Sequence, residues 1–361
     1  MRRKSPGLIG LVPLLILVTS ASSGQIIENP AKPVAKDAGR ILGLTEAWRI
    51  TDESGEFYFR RPFNLQVADD GSVFIADAEE LLRFSSGGKF LKNLYKKGQG
   101  PGEINGPFMY SIRDDDVFIQ DMDSRRFWRA DLDGVYKEEI PLKDRDIGTF
   151  LGAVPDGYIF QKMIWPPRSE WTGKLTAILH NVDLLSNDGS DKRHIATFKT
   201  EAFLGPRSAT NWDSSIAVLS PGGESIIAFF GREYLVEVVD ITGAATSKRF
   251  RRTYPRIPHV ESPGEKEVRI KRGFPKIEYE TDIRGVSPAD GRVWLATSTE
   301  GKAKGWLIDV FDMDGHFVDS FYLGAGRTLM AVREGCIFCQ EKNQDETIMI
   351  VKYKIDEPAL R

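Results

Sequence analysis

The chain alternates apolar and polar positions in runs of about five residues, the length of ordinary β-strands, and turn residues separate the runs. The clearest unit covers residues 65–107, in which the runs 64–68 and 72–76 flank an Asp70-Gly71 turn. That pattern predicts a β-hairpin, and two further runs complete four strands. Both alternating sets of 72–76 are apolar, so both faces of this sheet need cover. Such a sheet is stable only when neighbouring copies pack against it.

Copies of the opening hairpin recur along the chain. After the first, they begin near residues 111, 152, 216, 283 and 329. The last copy lacks a fourth strand, and a strand-like run at 46–51 stands without a partner at the opposite end of the chain. Adding that run to the last sheet would close a ring and complete every blade.

The repeats therefore predict an all-β fold over residues 45–358, a six-bladed β-propeller of four-stranded antiparallel blades that an N-terminal strand closes. A seven-bladed ring, or a β-sandwich followed by a second domain, is the alternative architecture.

One segment departs from the β pattern. Ser262, Pro263 and Glu265 supply an N-cap serine, a proline at the first helical position and a glutamate at the third, which together form a capping box. We expect a short helix over residues 262–271 that ends near Gly273. It falls between the fourth and fifth copies, so it should lie on one rim of the ring.

The first 24 residues have the pattern of an export signal. A basic head, an apolar stretch at residues 8–18 and small residues suited to cleavage follow one another. The apolar stretch is shorter than the roughly 20 residues that span a bilayer, although an uncleaved membrane anchor is the alternative. We expect residues 1–24 to be a signal peptide and residues 25–44, rich in Pro, Ala and Lys, to be a linker. The mature protein should be periplasmic or secreted, with no stable membrane span.

The net charge of the protein bears on which classes of partner it could bind. Removal of the signal changes the formal net charge from −3 to −6, because that segment has three basic residues and no acidic one. A mildly acidic domain has no general attraction for nucleic acid.

Candidate metal ligands are sparse. Cys336 and Cys339 are the only cysteines and fall in a predicted strand. Residues three apart in a strand point to opposite faces, so we expect two free thiols rather than a disulfide. One such pair does not fill a zinc site, and the four histidines have no ligand spacing. We predict no cofactor and no metal.

Several motifs carry a resemblance to a known family. They are GQGPGEI at residues 98–104, YPRIP at 254–258, and FPKI at 274–277, which precedes DGRVWLA at 290–296. From Trp48 onward the chain resembles the exported bacterial six-bladed β-propellers, which are related to NHL-repeat propellers. Ile104 stands where that family usually has phenylalanine. The resemblance implies a fold and export, and it implies no catalytic residue because members largely lack an assigned activity.

In four-stranded blades, the loops between blades share one face with the loops that join second and third strands. We call this the loop face, and the opposite side, with hairpin turns such as Asp70-Gly71, the turn face. Loops on a rigid scaffold usually carry binding function, and arginine and tryptophan could hold an acidic or aromatic ligand there. The candidate residues are Arg60, Arg61, Asp77, Asp121, Arg125, Arg126, Trp165, Arg207, Trp212 and Arg256.

Each of these residues also has a structural interpretation. The aspartates would accept backbone hydrogen bonds in their own loops, and the arginines would be solvated or paired. The glycines of the 98–103 loop are expected to form a link between blades, because the loop lacks the Lys-Ser/Thr ending of a phosphate-binding loop.

The sequence favours an exported binding or interaction module whose loop face or central channel engages a small molecule, a glycan or a protein. It contains no ordered set of acid, base and nucleophile. The alternative is a propeller enzyme, a lyase or hydrolase with a metal or paired carboxylates in the channel, because such groups come one from each blade and leave no local motif. A structural role in an envelope assembly is a third alternative.

Overall fold

The structure, a computed structural model, describes residues 25–51, 55–144, 146–206, 208–211, 215–242 and 248–357. The expected signal peptide, residues 1–24, and two candidate site residues, Arg207 and Trp212, lie outside the described residues.

Three short strands precede the first complete sheet. They are β1 (Ile26–Asn29), β2 (Arg40–Ile41) and β3 (Leu44–Ile50).

The next strands form blades 1 to 3, each an antiparallel sheet with its first strand innermost. Blade 1 consists of β4 (Pro62–Val67), β5 (Val73–Asp77), β6 (Glu80–Phe84) and β7 (Phe90–Asn93). Blade 2 consists of β8 (Phe108–Arg113), β9 (Asp116–Asp121), β10 (Arg126–Asp131) and β11 (Tyr136–Glu139). Blade 3 consists of β12 (Thr149–Val154), β13 (Gly157–Ile164), β14 (Lys174–Ser186), β15 (Lys192–Leu204) and a fifth strand, β16 (Ala209–Asn211).

Blades 4 to 6 follow the same order. Blade 4 consists of β17 (Ser215–Leu219), β18 (Ser225–Phe230), β19 (Leu235–Asp240) and β20 (Lys248–Arg252). Blade 5 consists of β21 (Ile283–Ala289), β22 (Arg292–Gly301), β23 (Gly305–Asp312) and β24 (Phe317–Tyr322). Blade 6 has β25 (Thr328–Arg333), β26 (Cys336–Lys342) and β27 (Ile348–Ile355).

These six sheets are the blades of a six-bladed β-propeller. The innermost strands of successive blades contact one another, and β25 of blade 6 contacts β4 of blade 1. The predicted fold class is confirmed.

The core lies between neighbouring blades, as the two-sided apolar strands predict. Between blades 1 and 2, for example, Phe74 and Leu81 pack with Tyr110, Ile119 and Trp128, and each of these side chains is at most 2% exposed. Burying one large apolar side chain contributes about 1.5–3 kcal/mol. Each blade therefore depends on the next one for its stability.

Strand β3 supplies the missing fourth strand of blade 6. It pairs antiparallel with β27, with Trp48 opposite Lys352. The Trp48 indole Nε1–H also donates to the carbonyl oxygen of Ser86 in blade 1 at 2.8 Å. One strand thus completes the last blade and ties it to the first.

The N-terminal segment before β3 differs from the expected linker. β1 pairs parallel with β20 on the outer edge of blade 4, and β2 pairs parallel with β24 on the outer edge of blade 5. The Asn29 side chain donates to the carbonyl oxygen of Gly315 at 2.8 Å and accepts the Phe317 N–H at 2.9 Å. A strand can pair with the outer edge of a sheet through backbone hydrogen bonds alone. Such a strand does not require alternating apolar residues, so the sequence does not reveal it.

Two enlargements break the regularity of the ring. In blade 3, β14 and β15 each extend to 13 residues, and a 3₁₀ turn (Arg168–Glu170) lies in the connection that precedes β14. Between blades 4 and 5, residues 253–282 form an insertion that carries helix α1 (Pro263–Arg272). The capping box at Ser262 and Glu265 is formed, and Gly273 ends the helix in the left-handed conformation.

No helix within the described ranges has both the length and the apolar character required to cross a bilayer.

Candidate functional site

The two candidate aspartates end the second strands of blades 1 and 2 and are buried. The Asp77 carboxylate accepts the backbone N–H groups of Arg60 and Arg61, both at 2.6 Å. Asp121 accepts the N–H groups of Asn105, at 2.8 Å, and Asp123, at 3.1 Å. These geometries match the structural interpretation, in which each carboxylate holds the chain entering its own blade.

Arg126 is engaged in the loop that connects blades 1 and 2. Its guanidinium donates to the carbonyl oxygens of Gln99 and Gly100, both at 3.0 Å, and pairs with Glu139 at 3.1 Å. The Glu103 carboxylate accepts the Gly100 N–H at 2.8 Å and so closes the same loop. The glycine-rich loop is therefore held by side chains as a link between blades.

Other candidates remain accessible on the loop face. Arg60, Arg61 and Arg125 are exposed, and Trp165 at the end of β13 is 38% exposed. The Trp165 ring lies 6.2 Å from that of Trp171. Arg60 and Arg61 are linked to Asp77 through their backbone N–H groups, and no described side-chain contact joins these four residues to Asp77 or Asp121.

Arg256 lies in the insertion between blades 4 and 5. Its Nε is 3.2 Å from the Asp282 carboxylate, and its guanidinium lies over the Tyr279 ring, 4.6 Å from the centroid. Burial raises the pKa of Asp282 above its usual value, although Arg256 opposes this shift. Sequence reasoning identified the arginine and missed the carboxyl, because no local pattern distinguishes Asp282 from other loop aspartates.

The strands that line the central channel carry no acidic residue and no histidine. The walls of the channel are the innermost strands β4, β8, β12, β17, β21 and β25, and none of these contains an Asp, Glu or His residue. Their backbone groups are partly bound by neighbouring blades: the Gln120 side chain donates to the Gly148 carbonyl oxygen and accepts the Phe150 N–H, both at 2.7 Å. Catalytic carboxylates in the channel would have to come from other elements.

The two enlargements meet above the ring on the loop face. Phe203 of β15 packs edge-to-face on Phe274, which follows α1, with ring centroids 5.7 Å apart. Beside this contact lies an open cleft of about 420 Å³. Its walls come from β16, the 231–233 turn of blade 4 and the 253–282 insertion, and they include Thr210, Asn211, Arg232, His259, Glu261, Gly264, Glu265, Val268, Arg269, Phe274, Pro275 and Ile277.

Most charged groups of the cleft have a hydrogen-bond partner within the insertion. The Arg269 guanidinium donates two hydrogen bonds to Glu261, which lowers the pKa of that carboxyl. The His259 Nδ1 lies 2.7 Å from the Glu280 carboxylate. The N–H of Ser262 donates to Glu265 at 2.7 Å and lowers the pKa of Glu265. The cleft is therefore amphipathic and nearly neutral.

The described residues include neither a clustered set of metal ligands nor a disulfide. Within the described part of the chain, no group of three or more His, Cys, Asp or Glu side chains could hold one metal ion. Cys336 and Cys339 are free thiols, and burial raises the pKa of Cys339 to about 12, which makes it a poor nucleophile at neutral pH. Another open cavity, of about 620 Å³, lies on the turn face between hairpin turns of blades 4, 5 and 6.

Comparison with known proteins bears on the fold. No family model matches this sequence, and no curated protein matches it. A solved Bacteroides fragilis protein assigned as exported aligns with a TM-score of 0.50 and 11% identity, covering 92% of this chain and 100% of that chain. A DUF4221 family member from Bacteroides vulgatus aligns with a TM-score of 0.54 and 10% identity, covering 87% and 98%.

The likeness is one of fold. It confirms the resemblance to exported bacterial propellers at that level, and identities this low carry no residue roles across. A gluconolactonase from Xanthomonas campestris aligns with a TM-score of 0.48 and 14% identity over 90% of this chain and 98% of that chain, which gives no information on activity here.

Proposed function

We propose that this protein is an exported binding module and that its ligand occupies the cleft between blade 3 and the 253–282 insertion. The observation that carries the proposal is the meeting of the two enlargements on the loop face, beside an open cleft of about 420 Å³. Small-ligand sites are commonly about 300–1,000 Å³ and combine apolar walls with a few polar groups. Val268, Phe274 and Ile277 supply the apolar part of the cleft.

Binding accounts for this arrangement better than catalysis does. The buried carboxylates Asp77 and Asp121 are committed to backbone N–H groups of their own loops. The innermost strands bring no acid or base to the channel. An enzyme would need a nucleophile, acid or base directed at a common point, whereas Arg269, His259 and Glu265 of the cleft are each engaged in a hydrogen bond within the insertion.

The exposed loop-face residues extend the proposed site. Arg60, Arg61, Arg125 and Trp165 lie in loops of blades 1 to 3 on the same face as the cleft, and their exposure leaves them available to a ligand larger than the cleft itself. Export, to the periplasm or to the medium, is part of the same proposal. It is supported by the N-terminal sequence pattern and by the fold that the chain shares with an exported protein.

Gly264 permits a direct test. It lines the cleft, and a Cβ added there meets no atom within 4 Å. We expect Gly264→Trp to fill the cleft without disturbing the fold, whereas the matched Gly264→Ala leaves the cleft open. Thermal-shift measurements against a defined panel of sugars, sugar acids, amino acids and aromatic acids should give stabilisation that wild type and Gly264→Ala share and Gly264→Trp lacks. Binding that survives Gly264→Trp would move the site elsewhere on the protein.

A further inference from the structure

The cleft is bounded on one side by the edge of a sheet. β16 is the last strand of blade 3, and its outer edge has no partner strand among the described residues. Two of its three residues, Thr210 and Asn211, line the cleft. An unpaired edge presents a row of N–H and C=O groups that can bind another extended chain.

Helix α1 forms the opposite wall and is unusually poor in contacts. Gly264, Glu265, Val268 and Arg269 are spaced so that they share one helical face, and all four line the cleft. α1 buries no side chain, and Val268 is 49% exposed. A ten-residue helix is marginal without tertiary packing. A ligand in the cleft would therefore supply packing that this face lacks.

The cleft offers a ligand mainly apolar side chains and backbone groups. Arg269 is committed to Glu261, His259 to Glu280, and Glu265 to the cap of α1. Arg232 also lines the cleft and donates to the Tyr279 carbonyl oxygen at 3.4 Å. Other groups of the cleft are the edge of β16 and apolar side chains such as Phe274 and Ile277. Because wall charges of opposite sign compensate each other, a strongly charged ligand would gain little there.

We infer that the cleft binds an extended, largely uncharged peptide segment, which adds to the edge of β16 as a further strand beneath α1. The inference rests on the proposed binding function and specifies the ligand class. In strand addition, main-chain hydrogen bonds supply affinity, and alternate side chains on one face of the peptide enter pockets. Here those alternate side chains contact Val268 and Phe274.

A random heptapeptide library displayed on phage is the probe. Enrichment on the full chain, with counter-selection on Gly264→Trp, should yield peptides with apolar residues at alternate positions. Fluorescein-labelled copies should bind wild type and Gly264→Ala within about twofold of each other and Gly264→Trp at least about tenfold more weakly by anisotropy. N-methylation of backbone amides along the peptide should weaken binding at every second position, because in a strand only alternate N–H groups face one neighbour.

The outcomes separate the two proposals. Peptides that bind wild type and Gly264→Trp equally, or whose affinity does not change on N-methylation, overturn strand addition in the cleft. Failure to enrich any peptide also overturns it. If the small-molecule panel then gives a shift that depends on Gly264, the binding function stands with a different ligand class, and if neither probe binds, both proposals fail.

Discussion

The ring of Phe203 in blade 3 meets that of Phe274 in the 253–282 insertion edge-to-face, at 5.7 Å between centroids and 80° between planes. This is the described aromatic contact that joins the two enlargements of the propeller. Helix α1, which the 253–282 insertion carries, has no buried side chain. The position of the insertion, and with it the width of the cleft, should therefore depend strongly on this pair.

Phe274→Ala should loosen the insertion while the ring of blades keeps its stability. An aromatic pair of this kind contributes about 0.5–1.5 kcal/mol beyond area burial, and it lies outside the interblade cores. We expect faster hydrogen exchange across residues 254–281 and an unchanged melting temperature. Tyr58→Ala, at a 55% exposed aromatic on the loop face, is the matched control. Unchanged exchange in Phe274→Ala would show that other contacts hold the insertion.

Asp77→Ala should destabilise blade 1, because it leaves the N–H groups of Arg60 and Arg61 without their acceptor. Hydrogen bonds to a charged group contribute about 1.5–3 kcal/mol each, so we expect a loss of at least about 2 kcal/mol in urea denaturation. Asp77→Asn retains one acceptor and should lose less. Glu79→Ala, at an exposed neighbour in the same turn, should change the free energy of unfolding little. A loss as small for Asp77→Ala would restore Asp77 as a candidate ligand contact.

Asp309→Asn should be strongly destabilising, since Asp309 pairs with Arg252 at 2.6 Å and both side chains are at most 5% exposed. Removing one partner of a buried ion pair costs about 3–5 kcal/mol, whereas replacing both by apolar residues is often neutral. The double variant Arg252→Met with Asp309→Leu should therefore recover much of the stability lost in Asp309→Asn. Equal loss in single and double variants would mean that the hydrogen bonds Asp309 accepts from the Tyr234 and Ser320 hydroxyls matter as much as the ion pair.

Protonation of His180 on unfolding should lower the free energy of unfolding at acidic pH. His180 is 3% exposed, with Gln161 at 2.7 Å from Nδ1 and Thr200 at 2.8 Å from Nε2. Burial lowers its pKa below the ordinary value of about 6.5. The unfolded chain therefore binds the proton more readily, and the stabilisation present above pH about 6.5 is lost as the pH falls below that value.

Comparison with His180→Gln isolates this effect. Above pH 6.5 wild type should be the more stable protein in urea denaturation, and the difference should shrink as the pH is lowered toward 5. His316→Gln, at an exposed histidine on the turn face, is the control. A difference that does not vary with pH would mean that His180 does not titrate on unfolding in this range.

The sequence was most informative where structure is local. The Asp70-Gly71 turn, the capping box at Ser262 and the alternation within each hairpin are encoded over a few residues, and each is present in the structure. Closure by β3 could also be predicted, because a repeat short of one strand implies a strand elsewhere. Because the local pattern repeats six times, it also predicts the number of blades and the closure of the ring.

The cleft could not be predicted, because it depends on contacts between distant segments. Nothing near Phe203 or Phe274 in the sequence indicates that their rings meet. The strands β1 and β2 were not predicted either. They are four and two residues long, and they pair through backbone groups with distant strands. For Asp77 and Asp121 the pattern allowed two interpretations, and only the positions of the backbone N–H donors distinguish them.

The placement of β1 to β3 also bears on how the protein acquires its shape. These strands pair with β20, β24 and β27, more than two hundred residues further along the chain. Such distant pairings form late, because the intervening chain must first be made and ordered. The ring therefore cannot shut while the chain is still being synthesised. If the chain is exported as proposed, it would cross the membrane before the ring closes.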